Sequence, residues 1–273
     1  MFKPKKNIHA TRALAAALSQ RAAGRYGLAA ALKNAAWQGC ALFSLMVAAL
    51  CLTSCASECN MAGRTTIPGL DGQTLHLTAF FDDNGTRPGD TCRIVHGNFS
   101  FYCDVDTMYI ASICVGSERL LPVVVESGNI QINVDNIGPN VKGGPMNDRL
   151  YKFRNKMNKL NTKYTELREK CIQMMHDGTT YEEACQKYGD KIQKIEGEIA
   201  ELEDKFIIEN SDNVLGTSFF RMKYGSYPIP VVTDEINNIL KSASKEFLRD
   251  PYVSWYLNIA VRNPMSRPCK LSK

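Results

Sequence analysis

The chain has 273 residues, 44% hydrophobic and 22% charged, a composition suited to one large or two small globular domains. Its net charge of +5 is unevenly spread: residues 1–54 hold seven basic side chains (Lys3, Lys5, Lys6, Arg12, Arg21, Arg25, Lys33) and no acid. Of 33 basic residues this leaves 26 against 28 acidic ones, so the remainder lacks the basic excess that nucleic-acid binding requires.

Cys40 to Leu52 is an uncharged, mostly apolar run of thirteen residues. As a helix it would reach ~20 Å, short of the ~30 Å hydrocarbon core of a bilayer. With Arg25 and Lys33 before it and small residues after it, it fits a secretory signal better than a permanent span. It ends in Leu52-Thr53-Ser54-Cys55, which resembles the bacterial lipobox. That resemblance implies a diacylglycerol on the Cys55 thiol, cleavage before Cys55 and acylation of the new amino terminus. Several acyl chains hold a protein on a membrane where one holds it only marginally. An ordinary signal peptide and a retained helix are the alternatives. Ala56 in place of an aspartate after Cys55 implies, by the same resemblance, the outer membrane. The expected division is a leader at 1–54 and a lipidated linker at 55–59.

Residues 60–142 read as a β domain. Pro68-Gly69, Asp71-Gly72, Asn84-Gly85, His96-Gly97 and Ser127-Gly128 punctuate β-rich runs. Leu75, Leu77, Ala79 and Phe81 alternate with Thr74, His76, Thr78 and Phe80, the period of a half-buried strand. Thr91–Val95 and Asn98–Cys103 form a hairpin about a tight turn. Met108–Val115, Leu121–Glu126 and Asn129–Val134 follow. The expectation is an antiparallel meander of six or seven strands, folded as a small sandwich or half-barrel.

Residues 143–262 read as helix, with a hairpin over 147–209. Leu150, Phe153, Met157, Leu160, Tyr164, Leu167, Cys171 and Met174 make one heptad stripe. Tyr181, Cys185, Tyr188, Ile192, Ile195, Ile199, Leu202 and Phe206 make the second. His176-Asp177-Gly178-Thr179 breaks them, so the two helices are antiparallel neighbours, joined by a buried seam or offering one to a partner helix. Thr180 and Glu183 have capping-box spacing. Shorter helices follow at Val214–Lys223, Thr233–Phe247 and Pro251–Val261, then a tail at 263–273. The fold class is therefore α+β.

Several segments together resemble a known family. They are Ile67-Pro68-Gly69-Leu70-Asp71-Gly72, Gly97-Asn98-Phe99-Ser100-Phe101, Val123 to Ile130, Gly143-Gly144-Pro145-Met146-Asn147-Asp148, and Phe206 to Asn210 with Leu215-Gly216. In that order they are similar to the domain of unknown function that precedes a thioredoxin fold in exported AhpC/TSA-type thiol-disulfide oxidoreductases of the Bacteroides group. The resemblance runs from about Asn60 to Ala260 and implies an exported location and this fold outline. Those relatives carry a Cys-x-x-Cys site in the following domain. No two cysteines here stand three positions apart, so their redox chemistry is not implied.

Processing at Cys55 would leave seven other cysteines: Cys59, Cys92, Cys103, Cys114, Cys171, Cys185 and Cys269. Export permits disulfides. Cys171 and Cys185 each lie seven residues from Gly178 and would face each other across the helical hairpin. Cys92 and Cys103 would be opposite across a Gly97-Asn98 turn, or diagonal across a His96-Gly97 turn. Free buried thiols are the alternative in both cases.

His76, His96 and His176 lack metal-ligand spacing, and Asp82-Asp83-Asn84-Gly85 lacks the remaining ligands of a calcium loop. Gly143-Gly144 has no Lys-Ser/Thr pair for phosphate. No catalytic residue, metal or cofactor is assigned. Three functions compete: a non-catalytic envelope lipoprotein serving as a binding or scaffold module, an accessory to thiol-disulfide exchange using its own cysteines, and a surface glycan binder. The partners expected are the membrane and an envelope or thioredoxin-fold protein. Trp255, the one tryptophan after Cys55, is thin provision for a sugar platform.

Overall fold

The computed structural model describes residues 58–81, 89–226 and 228–267. Eight strands come first: β1 (Glu58–Thr65), β2 (Thr74–Ala79), β3 (Asp90–Arg93), β4 (Asn98–Asp104), β5 (Tyr109–Val115), β6 (Glu118–Val125), β7 (Gly128–Asp135) and β8 (Gly138–Lys142). Six helices follow: α1 (Pro145–His176), α2 (Tyr181–Glu209), α3 (Val214–Tyr224), α4 (Asp234–Ser242), α5 (Lys245–Arg249) and α6 (Pro251–Ala260). The α+β class is as expected.

The strands form two four-stranded sheets, ordered β4-β1-β7-β8 and β3-β2-β5-β6. The arrangement is more than a meander, because β1 lies between β4 and β7 and runs parallel to β7. Alternation explains which face is buried. Cys59, Met61, Gly63 and Thr65 of β1 point inward, as do Leu75 and Leu77 of β2 and Phe99 and Phe101 of β4. Gly63 is required there: a Cβ would sit 2.1 Å from the Phe99 ring. The eight strands exceed the six or seven expected, and β1 and β8 are the two not read individually. β1 begins at Glu58, two residues ahead of the expected boundary, and β8 (Gly-Pro-Asn-Val-Lys) is spelled in turn residues.

Helix α1 enters the sandwich core through Leu150, Tyr151 and Phe153, and α2 returns to it at Phe206. Phe153 and Phe206 stack at 4.2 Å, and Phe219 of α3 meets both edge-on at 5.2 and 4.8 Å. Beyond this root the hairpin continues as a two-helix arm. Its expected seam lies between α1 and α2, but Leu160, Tyr164, Leu167, Tyr188 and Ile192 are only half-buried, since two helices cannot enclose a stripe. At the tip Gly178 takes a φ of +93° and the Thr179 amide bonds to Met174, ending α1. The Thr180/Glu183 capping box opens α2 as expected.

A second core joins α3 to α6, with Phe220, Tyr224, Ile236, Ile239, Phe247, Val253 and Tyr256 buried together. The single helix expected over Thr233–Phe247 is two. The break falls at Ala243-Ser244, where Ser244 caps α5 through the Phe247 amide at 3.1 Å. The same hydroxyl donates to the Ser211 carbonyl at 2.6 Å, which ties the break to the end of α2.

Candidate functional site

The start of α1 is built by residues from a distant strand end. Gly143 and Gly144 have φ of +93° and +85°, and Gly144, at the N-cap, has no side chain to cap the helix. Glu126, just past β6 and 2% exposed, does so instead. Its carboxylate accepts from the Met146 amide at 3.1 Å, the Asn147 amide at 2.8 Å and Asn147 Nδ2 at 2.8 Å. Asn147 then clasps β6 by accepting from the Val124 amide at 2.9 Å and donating to the Val124 carbonyl at 2.8 Å. A Cβ on Gly144 would lie 2.3 Å from Glu126 Oε1. The Gly-Gly pair, weighed above as a phosphate loop, thus makes room for an internal carboxylate at a helix N-terminus.

This cap sets the first turns of α1 beside the end of α2, and a cleft opens between them. Arg149, Lys152 and Lys156 line one wall and Lys205 the other, over a floor of Phe153, Leu202 and Phe206. Glu209, Asn210 and Asp212 close one end of a cavity of about 430 Å³. Arg149 donates to Asn210 Oδ1 at 3.4 Å, and Lys205 pairs with Glu209 at 3.8 Å. Four cations against two carboxylates over an aromatic floor suit an anionic group on an apolar stem. The sequence reading missed this cleft because it singled out no basic residue on either long helix. The signal was the 3,4 spacing of Arg149, Lys152 and Lys156.

A further cavity of about 420 Å³ lies among Ala200, Asp204, Lys223, Tyr224, Val231 and Tyr256. Its charges answer one another. Lys223 Nζ lies 2.7 Å from Asp204 and 3.1 Å from Glu203, and the Tyr224 hydroxyl donates to Asp204 at 3.0 Å.

Of the predicted residues, the lipobox (Leu52, Thr53, Ser54 and Cys55) lies outside the described residues, as do Cys269 and Asp82-Asp83-Asn84-Gly85. Six cysteines are described, all as thiols. Cys171 and Cys185 come to the same tip: the Tyr181 hydroxyl titrates high because Cys185 bonds to it, with Cys171 adding to the effect. The expected hairpin is only a turn: His96-Gly97, with φ of +51° and +73° and a single Val95–Asn98 bridge, sends β3 and β4 into different sheets, so Cys92 and Cys103 share no ladder. Cys103 instead faces Cys59 across the β1/β4 ladder. Among the described residues no three His, Cys, Asp or Glu side chains gather to hold a metal. His76 is exposed on β2, His96 sits in the turn, and His176 ends α1.

Burial pushes the Cys92 thiol from an ordinary value near 9 to about 11, an Asp90 charge adding to it against a backbone hydrogen bond at Ser100. Cys59 rises to about 11 for the same first reason, helped by the neighbouring Cys103. Catalytic thiols are shifted downward instead. At pH 8 iodoacetamide should therefore modify Cys92 about 100-fold more slowly than an unperturbed thiol, since each unit removes tenfold of the thiolate. Timed alkylation read by mass spectrometry checks this; a rate equal to that of free cysteine contradicts it.

The molecule is thus an α+β protein in which a two-sheet sandwich carries a helical arm and a C-terminal helical cluster. Residues 63–150, from Gly63 in β1 to Leu150 in α1, match the family model of a domain of unknown function, DUF4369. The match takes in most of the sandwich and the Glu126 cap. The solved structure of a DUF3823 family protein from Parabacteroides merdae is similar at 20% identity, over 29% of this chain and 45% of that one, with a TM-score of 0.20. The similarity spans less than half of that protein's length. No curated protein matches the chain. No helix among the described residues is long and apolar enough to cross a membrane.

Proposed function

We propose that the chain is a non-catalytic lipoprotein of the bacterial cell envelope, anchored to the outer membrane by lipid on its Cys55 and acting as a binding or scaffold module. The observation that carries the reading is the placement of Leu52-Thr53-Ser54-Cys55, directly after an apolar run and three residues before β1, the first strand among the described residues. A lipid on Cys55 would leave almost no linker, so the sandwich would stand close to the membrane. The cationic cleft at the root of the arm supports the binding role. Its chemistry favours an acidic segment of an envelope protein, and the family resemblance adds a thioredoxin-fold protein as a partner to test. High-titrating thiols at Cys59 and Cys92 favour this reading over thiol exchange by the chain itself.

Metabolic labelling with an alkyne fatty acid tests the anchor. The wild-type chain should carry label, fractionate with the outer membrane and run as the shorter, cleaved form. Cys55→Ala should lose all label and persist as uncleaved precursor. Equal labelling of Cys55→Ala would sink the assignment.

A further inference from the structure

The β1/β4 ladder pairs Cys59 with Cys103 as direct cross-strand partners. Both lie on the inward face: Cys59 is fully buried and Cys103 half-buried. The same register carried past Arg64–Asn98 puts Thr65 opposite Gly97, and the Thr65 amide donates to the Gly97 carbonyl at 2.7 Å. Counting back by twos makes Cys59–Cys103 another hydrogen-bonded pair, for which the Cα separation is ~5.5 Å. That lies within the 4.4–6.8 Å range of roughly ideal disulfides. The other neighbour of Cys59 is Gly128 on β7, which has no side chain to hold the sulfur away. β4 is an edge strand whose one ladder is with β1, so closing the remaining Cβ distance would strain no second ladder, only the Tyr102 amide's contact with Asp90 of β3.

We propose that Cys59 and Cys103 form a disulfide that clips the first strand of the body to β4. The inference rests on the export reading for its oxidising compartment, and on the register alone for its geometry. The half-exposed Cys103 reacts first. Its thiolate attacks the disulfide of an oxidant, either glutathione disulfide or an oxidised dithiol protein, and displaces one thiolate. The Cys59 thiolate then attacks the Cys103 sulfur and displaces the second. Two electrons pass from the cysteines to the oxidant, and the two protons lost by the cysteines go to the released thiolates. With Cys55 acylated, the bridge would lie four residues from the lipid, at the point where any pull on the tether enters the fold. It would also remove two high-titrating thiols, one buried and one half-buried, from the sheet.

The test uses the full chain, purified in detergent and exposed to glutathione disulfide, then alkylated and digested without reductant. A linked Cys59–Cys103 peptide is expected, absent from Cys59→Ser and Cys103→Ser. The bridge closes a loop of about 45 residues, so reduction should lower the wild-type Tm by on the order of 10 °C. The same reductant should leave Cys59→Ala/Cys103→Ala unmoved. Oxidised protein in which both residues remain alkylatable, or in which Cys103 links to Cys92 instead, overturns the proposal. A bridge that forms with glutathione disulfide but is absent from cells supports the geometry and counts against export, which the Cys55 labelling reads separately.

Discussion

Replacing Glu126 with alanine is expected to destabilise the protein by ~3–4 kcal/mol, because three donors lose a charged acceptor in a site closed to water. The donors are the amides of Met146 and Asn147 and the Asn147 side chain, all within 3.1 Å of the carboxylate. The two amides have no capping side chain to turn to, since the N-cap is Gly144 and the space a side chain would fill there is occupied by Glu126 itself, while the Asn147 side chain keeps only its bond to the Val124 carbonyl. The loss should spread to β6, which Asn147 holds through both polar groups of Val124. Glu126→Gln keeps an acceptor oxygen and should cost less than half as much. Gly144→Ala should resemble Glu126→Ala, for the opposite reason of a side chain driven into the carboxylate at a left-handed φ. Urea unfolding measures all three. A Glu126→Ala variant within 1 kcal/mol of wild type would mean that the cap contributes little, roughly the level of a surface change.

Phe220→Ala should cost about as much, ~3–5 kcal/mol, and in a different place. Phe220 has no exposed surface, with Tyr224, Phe247 and Tyr256 packed around it at 5.0, 5.4 and 5.3 Å. Removing its ring opens a cavity at the centre of the second core, where α3, α5 and α6 meet. The sandwich has its own core, and Phe219 rather than Phe220 faces the Phe153–Phe206 stack. Hydrogen exchange should therefore accelerate in α4, α5 and α6 while Leu75, Ile113 and Val123 in the sheets stay protected. Uniform acceleration across both cores would show that they unfold as one unit.

The helical half was the more legible. Apolar residues at 3,4 spacing, a four-residue break with Gly178 and a Thr180/Glu183 pair are local signals, and each specified a piece of the hairpin. Local signals also placed β2 to β7, because alternation and turn residues are written within a few positions. They missed β1, whose Asn60, Ala62 and Gly63 carry little β preference, and β8, whose Gly138, Pro139 and Asn140 imitate a turn. Both strands exist because β7 offers each of them a ladder partner. The split between α4 and α5 was hidden for a similar reason: Ser244 is held by Ser211 from another part of the chain.

Sequence alone determined the α+β class and the antiparallel helical hairpin. Those features depend on periodicity and on neighbours within a turn or two. Tertiary structure decided that β1 runs parallel to β7, that Glu126 caps a helix twenty residues away, and that four cations gather over Phe153 and Phe206. It also changed the partner of Cys103. The turn at His96-Gly97 sends the strands of Cys92 and Cys103 into different sheets, while Cys59, far off in the chain, arrives directly opposite Cys103. Pairing across a sheet is set by which strands bury each other's faces, and no local pattern around Cys59 encodes that choice.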